Sequence, residues 1–179
     1  LHAFDFALLR GGELNIRQTK GTGKFKTLDG KEHQLPSAAV MVCDGEREVS
    51  IAGIMGGANS EINDATADVV LEAACWNPTS IRRTRKALGI TTDASQRFER
   101  GTDPEGVWFA IQRATQLIYE LAGGEVLRGT IDVRSKRIRN NEIKLRIDRV
   151  NSVLGTSFTA KQVVALLRRL GVVPIGRGG

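Results

Sequence analysis

Apolar and polar positions in the first half of the chain come in short runs broken by Gly, Asp and Pro, a pattern of strands and turns. Phe25 to Leu28 and Lys31 to Leu35 flank Asp29-Gly30, a pair that tolerates the positive φ of a two-residue turn, so a hairpin is predicted. Val40 to Cys43 and Val49 to Ile51 flank Asp44-Gly45 and repeat the device. Val69-Val70-Leu71 is short, apolar and β-branched, which predicts a strand buried on both faces and ending at Glu72.

Further along, the apolar spacing changes to three and four. Asn77 is placed to cap a helix with Pro78 at its first position, Ile81 and Leu88 inward, and Gly89 just past the end. Its outer face carries Arg82, Arg83, Arg85 and Lys86. A second helix is predicted to start at Asp103-Pro104 by the same rule. Val107, Ala110, Ile111, Ala114, Leu117, Ile118 and Leu121 form its stripe before Gly123-Gly124, and the β-rich half supplies a sheet to cover it. Near the end, Asp148 to Leu154 predicts a short helix closed by Gly155. Thr159 and Gln162 form a capping box for a helix carrying Val163, Leu166, Leu167 and Leu170.

Between the two longer helices, Thr92 to Pro104 packs acids, arginines and hydroxyl residues around Phe98 as its single large apolar side chain. Charge that dense faces water or is held in pairs, so a fixed hydrogen-bonded loop at a site or an interface is expected, with Asp93, Arg97, Glu99 and Arg100 as an ion-pair network. From Ile131 to Ile147 the chain reads as extended and basic, through Arg134, Lys136, Arg137, Arg139, Lys144 and Arg146, interrupted by Asn140-Asn141. A domain boundary is expected there: residues 1–132, a linker or strand at 133–147, and a second unit at 148–179.

Composition narrows the function classes. A chain of 179 residues with 41% hydrophobic content accommodates one domain, or one domain and part of another. No run approaches a membrane span and no signal-peptide pattern opens the chain, so a cytoplasmic protein is expected. The start at Leu1 and the Gly-rich tail suggest a piece of something larger. Cys43 and Cys75 lie far apart without metal spacing and read as free thiols in or near the core. A net charge of +6 suits a phosphate-backbone partner, whereas 5% aromatic content leaves few platforms for stacking single-stranded bases. Gly21-Thr22-Gly23-Lys24 is not a phosphate loop, because Gln18 and Phe25 stand where a Walker A motif needs Gly and a hydroxyl residue. His2 and His33 are isolated, no metal-ligand spacing occurs, and the serine-hydrolase elbow is absent.

Three features carry chemistry with two readings each. The glycines in Gly53-Ile54-Met55-Gly56-Gly57 serve a turn, or let a ligand lie against bare backbone and take its N–H groups. Glu72, in apolar company, is paired with an arginine such as Arg97 or Arg100, or reads a ligand. His2 is an idle residue near a chain end, or a proton-transfer group.

Leu1-His2-Ala3-Phe4-Asp5, Gly53 to Gly57, Leu71-Glu72-Ala73-Ala74 and Thr92 to Gly101, in that order, resemble the B3/B4 editing region of phenylalanyl-tRNA synthetase beta chains. Arg149 to Gly155, continued to Leu170-Gly171, resembles the opening of that family's B5 domain. The resemblance implies an α+β fold of mixed sheets packed with helices, followed by a partial helix-turn-helix-like segment. It implies hydrolysis of mischarged tyrosyl-tRNA, with Glu72 reading the tyrosine hydroxyl, Gly53, Gly56 and Gly57 beneath the ligand, Thr92 and Ala94 as pocket wall, and His2 as the catalytic group. In the family a Thr-Asn pair preceding the His adds to the pocket. The partners implied are an alpha chain in an alpha2-beta2 assembly and tRNA(Phe), with ATP and magnesium used at a synthetic site on the alpha chain and no cofactor or metal here. The alternatives are a tRNA-binding module without chemistry, using Arg82 to Lys86 and Arg134 to Arg146, or a scaffold between subunits.

Overall fold

The computed structural model describes residues 1–21, 23–135 and 142–175. Thr22, the basic residues Lys136, Arg137 and Arg139, Asn140-Asn141 and the last four residues lie outside the described residues. The chain divides into two compact units, Leu1–Asp132 and Val133–Gly179.

In the first unit, β1 (His2–Asp5) and β8 (Val69–Glu72) form an antiparallel ribbon. An antiparallel sheet runs in the order β2 (Asn15–Gln18), β5 (Val40–Cys43), β6 (Glu48–Ile51) and β7 (Met55–Gly56). A hairpin joins β3 (Lys24–Lys26) to β4 (Glu32–Gln34), and a bridge from Thr27 to Gly57 links it to the segment after β7. Side chains alternate along β5, and a register shift in its pairing with β6 leaves Val49 and Ile51 on opposite sides, so the larger sheet has a core on each face. Met41, Cys43 and Ile51 join Phe25, Leu35 and Ile81 on one side, while Val42 and Val49 join Phe4 and Leu9 on the other. Trp76 packs against both clusters.

Both hairpins exist, with longer connections than the predicted two-residue turns. The buried Asp44 carboxylate accepts the N–H groups of Glu46 and Arg47 at 2.8 Å and that of Arg10 at 3.1 Å, which lengthens the second loop to residues 44–47. In the first, Thr27 and Lys31 close the loop and Gly30 has a φ of 79°. β8 is not buried on both faces: Val69 is exposed and the rest of the strand half-buried, because β1 covers one edge and a helix only part of one face.

Helix α1 (Pro78–Leu88) has the predicted punctuation, with Asn77 accepting the Ser80 N–H at 3.1 Å and Gly89 in the left-handed region. Ile81 is buried. The segment expected as a loop contains a helix, α2 (Asp93–Phe98), because Thr92 and Ser95 form a reciprocal capping box. α3 spans Gly106–Ala122, starting after Asp103-Pro104 because the Asp103 carboxylate takes the Glu105 N–H in a turn of its own. It packs on β8, yet none of its residues is buried, and Leu117, Ile118 and Leu121 stand exposed. The short ribbon is too narrow to cover the whole stripe. Cys43 is buried, whereas Cys75 is exposed and bonded to Thr102, contrary to the expectation of two core thiols.

In the second unit, α4 (Ile147–Leu154) and α5 (Ala160–Arg168) follow each other closely. Asn151 sets the connection, accepting from Thr156 and from the Phe158 N–H while donating to the Phe158 carbonyl. The whole is α+β, antiparallel sheets with five helices among the described residues. No described helix is long and apolar enough to cross a membrane.

Candidate active site

The β1–β8 ladder places His2 directly opposite Glu72. Residues so paired project to the same face with Cβ atoms about 4.5–5.5 Å apart. The His2 ring meets Phe4 edge-on, with centroids 4.6 Å apart and planes at 73°. Its other neighbour is Gly56: a Cβ there would lie 2.7 Å from His2 Nε2 and 3.1 Å from Leu28 Cδ1. Any side chain at position 56 would displace the imidazole. The ribbon pairs His2 with Glu72, and packing of the His2 ring against β7 adds Gly56, so three residues distant in sequence come together.

Glu72 is half-buried and, among the described residues, forms no ion pair and no hydrogen bond. The salt bridge to Arg97 or Arg100 considered from sequence does not form. Burial raises the carboxyl pKa from 4.5 to about 6. Burial also lowers the His2 pKa below 6.5. Near neutral pH the pair is therefore a bare carboxylate facing an uncharged imidazole, able to accept protons at both positions.

The three glycines serve different ends. Gly53, at a φ of 66°, turns the chain from β6 toward β7, and a Cβ on it would meet Trp76 at 2.6 Å, Phe98 at 3.0 Å and Ile81 at 3.2 Å. A Cβ on Gly57 would meet Phe25 and Asn59 at 2.6 Å. Room beside these two is filled by the protein's own side chains, and only Gly56 borders the His2 ring. The segment's N–H groups are partly committed too, Ile54 donating to the Ile51 carbonyl at 2.9 Å and Gly57 to the Val49 carbonyl at 2.8 Å.

Thr92 is half-buried at the N-cap of α2, its hydroxyl donating to the Ile54 carbonyl at 2.8 Å and accepting the Ser95 N–H at 3.1 Å. That bond stitches α2 to the glycine segment. Ala94 is exposed on the first turn of α2. Two cavities of about 270 and 340 Å³ lie elsewhere, one beside β2 and β5 around Arg17, Lys20 and Arg47, the other in the second unit around Leu145, Arg149 and Val153.

Sequence reasoning missed the contact that organises the helices. Arg85 of α1 grips Glu99 with a fork, Nε to Oε2 at 2.6 Å and Nη2 to Oε1 at 3.1 Å, and its Nη1 donates to Thr91 at 3.0 Å. The expected network within 93–100 is replaced by this bridge between α1 and the end of α2. The hydrogen bond to Arg85 lowers the Glu99 pKa below 4.5, and Arg82 and Arg100 lower it further.

Residues 1–123 match the B3/4 domain family. The whole chain is 48% identical over 180 residues to the phenylalanine–tRNA ligase beta subunit of Syntrophus aciditrophicus, covering 22% of that protein's length. Over 95% of the chain it is 46% identical to the beta subunit of Geobacter metallireducens and 45% identical to that of Geobacter sulfurreducens, covering 21% of each. The chain spans about a fifth of the length of these relatives. It belongs to the B3/4 domain family, in the form carried by phenylalanine–tRNA ligase beta subunits.

Proposed function

We propose that this chain is a proofreading module that hydrolyses the ester bond of tyrosyl-tRNA(Phe) and spares phenylalanyl-tRNA. The observation that carries the reading is Glu72, a half-buried carboxylate with no ion pair and no hydrogen bond among the described residues, facing His2 across the ladder. A tyrosine hydroxyl donates the missing hydrogen bond. Phenylalanine leaves the carboxylate desolvated and unpaired, and so binds worse.

The chemistry required is modest, because an aminoacyl ester is already activated. His2, uncharged near neutral pH, accepts a hydrogen bond from the attacking water or from the terminal ribose and orients it at the carbonyl. Gly56 leaves room for the imidazole to do so, while Gly53 and Gly57 keep the turn and the sheet in place. N–H groups of the glycine segment not committed inside the fold receive the developing oxyanion. Thr92 holds the wall from behind, and Ala94 forms its rim. In the parent assembly, synthesis with ATP and magnesium is the work of the alpha chain, and tRNA(Phe) is the shared substrate.

Deacylation of tyrosyl-tRNA and phenylalanyl-tRNA by Glu72→Ala, in the beta subunit assembled with its alpha chain, tests the reading. A hydrogen bond to a charged acceptor contributes about 1.5–3 kcal/mol, so the preference for tyrosine falls by about 10- to 150-fold. A variant that still clears the tyrosyl ester and spares the phenylalanyl ester sinks the proposal.

A further inference from the structure

Helix α1 carries Arg82, Arg83, Arg85 and Lys86 and no acid. Arg85 is neutralised by Glu99, but Arg82 and Arg100 lie close enough to the same carboxylate to act on it as well. Glu99 is committed to its fork with Arg85, and Arg82 and Arg100 form no ion pair of their own among the described residues. Arg82 and Arg100 are exposed, and Lys86 extends the cluster one helical turn beyond Arg82.

We propose that Arg82, Lys86 and Arg100 form a seat for successive phosphates of a tRNA acceptor end. The inference rests on the proofreading reading for its choice of RNA. Like charges are held together here by the built scaffold of Arg85, Glu99 and Thr91, and a polyanion relieves their repulsion. Forked guanidinium groups suit phosphate oxygens, and the low aromatic content favours backbone contact over base stacking. The position is apt as well. Ile81 of α1 and Phe98 of α2 both border Gly53, three residues before Gly56, and Thr92 ties α2 to Ile54.

Binding of unacylated tRNA to the 179-residue chain, followed by fluorescence anisotropy from about 50 to 200 mM salt, tests this seat. Each phosphate contact on a single strand adds about 0.7 to the log–log salt slope, so Arg82→Gln/Lys86→Gln/Arg100→Gln lowers the slope by about 2 and weakens binding at least about tenfold. Arg82→Lys/Arg100→Lys, which keeps the charge, retains the slope. A control triple at other exposed cations, Arg17→Gln/Lys20→Gln/Lys26→Gln, leaves slope and affinity unchanged. Equal losses in both triples would overturn the proposal in favour of unlocalised attraction, and no loss in the first would overturn it outright. A chain that binds tRNA in the predicted way yet leaves tyrosyl-tRNA intact would sink the hydrolytic reading and keep this one.

Discussion

Two glutamates in the first unit are held in opposite ways. Glu99 lies where two helices meet, its side chain 15% exposed, and the hydrogen bond from Arg85, with smaller help from the charges of Arg82 and Arg100, holds its pKa below 4.5. Glu72 lies at the end of a two-stranded ribbon, half-buried, with no ion pair or hydrogen bond among the described residues and a pKa near 6. The comparison teaches that burial alone does not mark a functional carboxylate. What separates a strut from a reader is whether the fold has already supplied a partner.

The largest effect is expected at the reader's neighbour. Gly56→Ala places a methyl group 2.7 Å from His2 Nε2 and drives the ring from its seat. Because displacing a catalytic group by about 1 Å can slow a reaction about 10²-fold, single-turnover deacylation of tyrosyl-tRNA should fall by at least that factor. Unchanged turnover would remove His2 from the account.

The second prediction uses pH to separate the two carboxylates. Well below pH 4.5 Glu72 is protonated in both folded and unfolded chains, so its burial carries no charge penalty. As pH rises from about 4.5 through about 6 the unfolded chain loses its proton first, and the folded state loses about 2 kcal/mol of relative stability, a loss constant above that range. Glu72→Gln removes this term. Urea melts at pH 4.5 and pH 7.5 should therefore show the variant more stable than the parent only at the higher pH. Glu99 has the opposite sign: with its pKa lowered, its ion pair contributes above the ordinary carboxylate range and is lost on acidification.

The smallest effect tests the committed side. Thr92→Val removes the hydroxyl that donates to Ile54, which should lower stability by about 1 kcal/mol in a urea melt. Thr92→Ser should restore it, and the preference for tyrosine should survive in both.

The local parts of this comparison were legible in the sequence and the long-range parts were not. Caps at Asn77 and Thr159 act over three residues, so their residue types suffice to announce α1 and α5. α2 is capped by Thr92 and Ser95, but the density of charge around that capping box is equally that of a hydrogen-bonded loop, so residue types alone do not announce the helix. Glu72 and His2 were singled out by motif, but their pairing depends on a ladder between residues seventy positions apart. Gly53 and Gly57 look like Gly56 in sequence, and only the packing of Trp76, Phe98 and Phe25 tells the three apart. The stripe of α3 predicted a covering sheet, yet the ribbon beside it is two strands wide.

Carbon-13 NMR of the Glu72 side-chain carboxyl, titrated in the free chain and with nonhydrolysable amide analogues of tyrosyl- and phenylalanyl-adenosine, tests the central claim most directly. The expected midpoint is about 6 in the free chain, moving down with the tyrosyl analogue, because a hydrogen bond donated to the carboxylate favours its charged form, and not moving down with the phenylalanyl analogue. A midpoint near 4.5 in the free chain, or the same response to both analogues, would contradict the account.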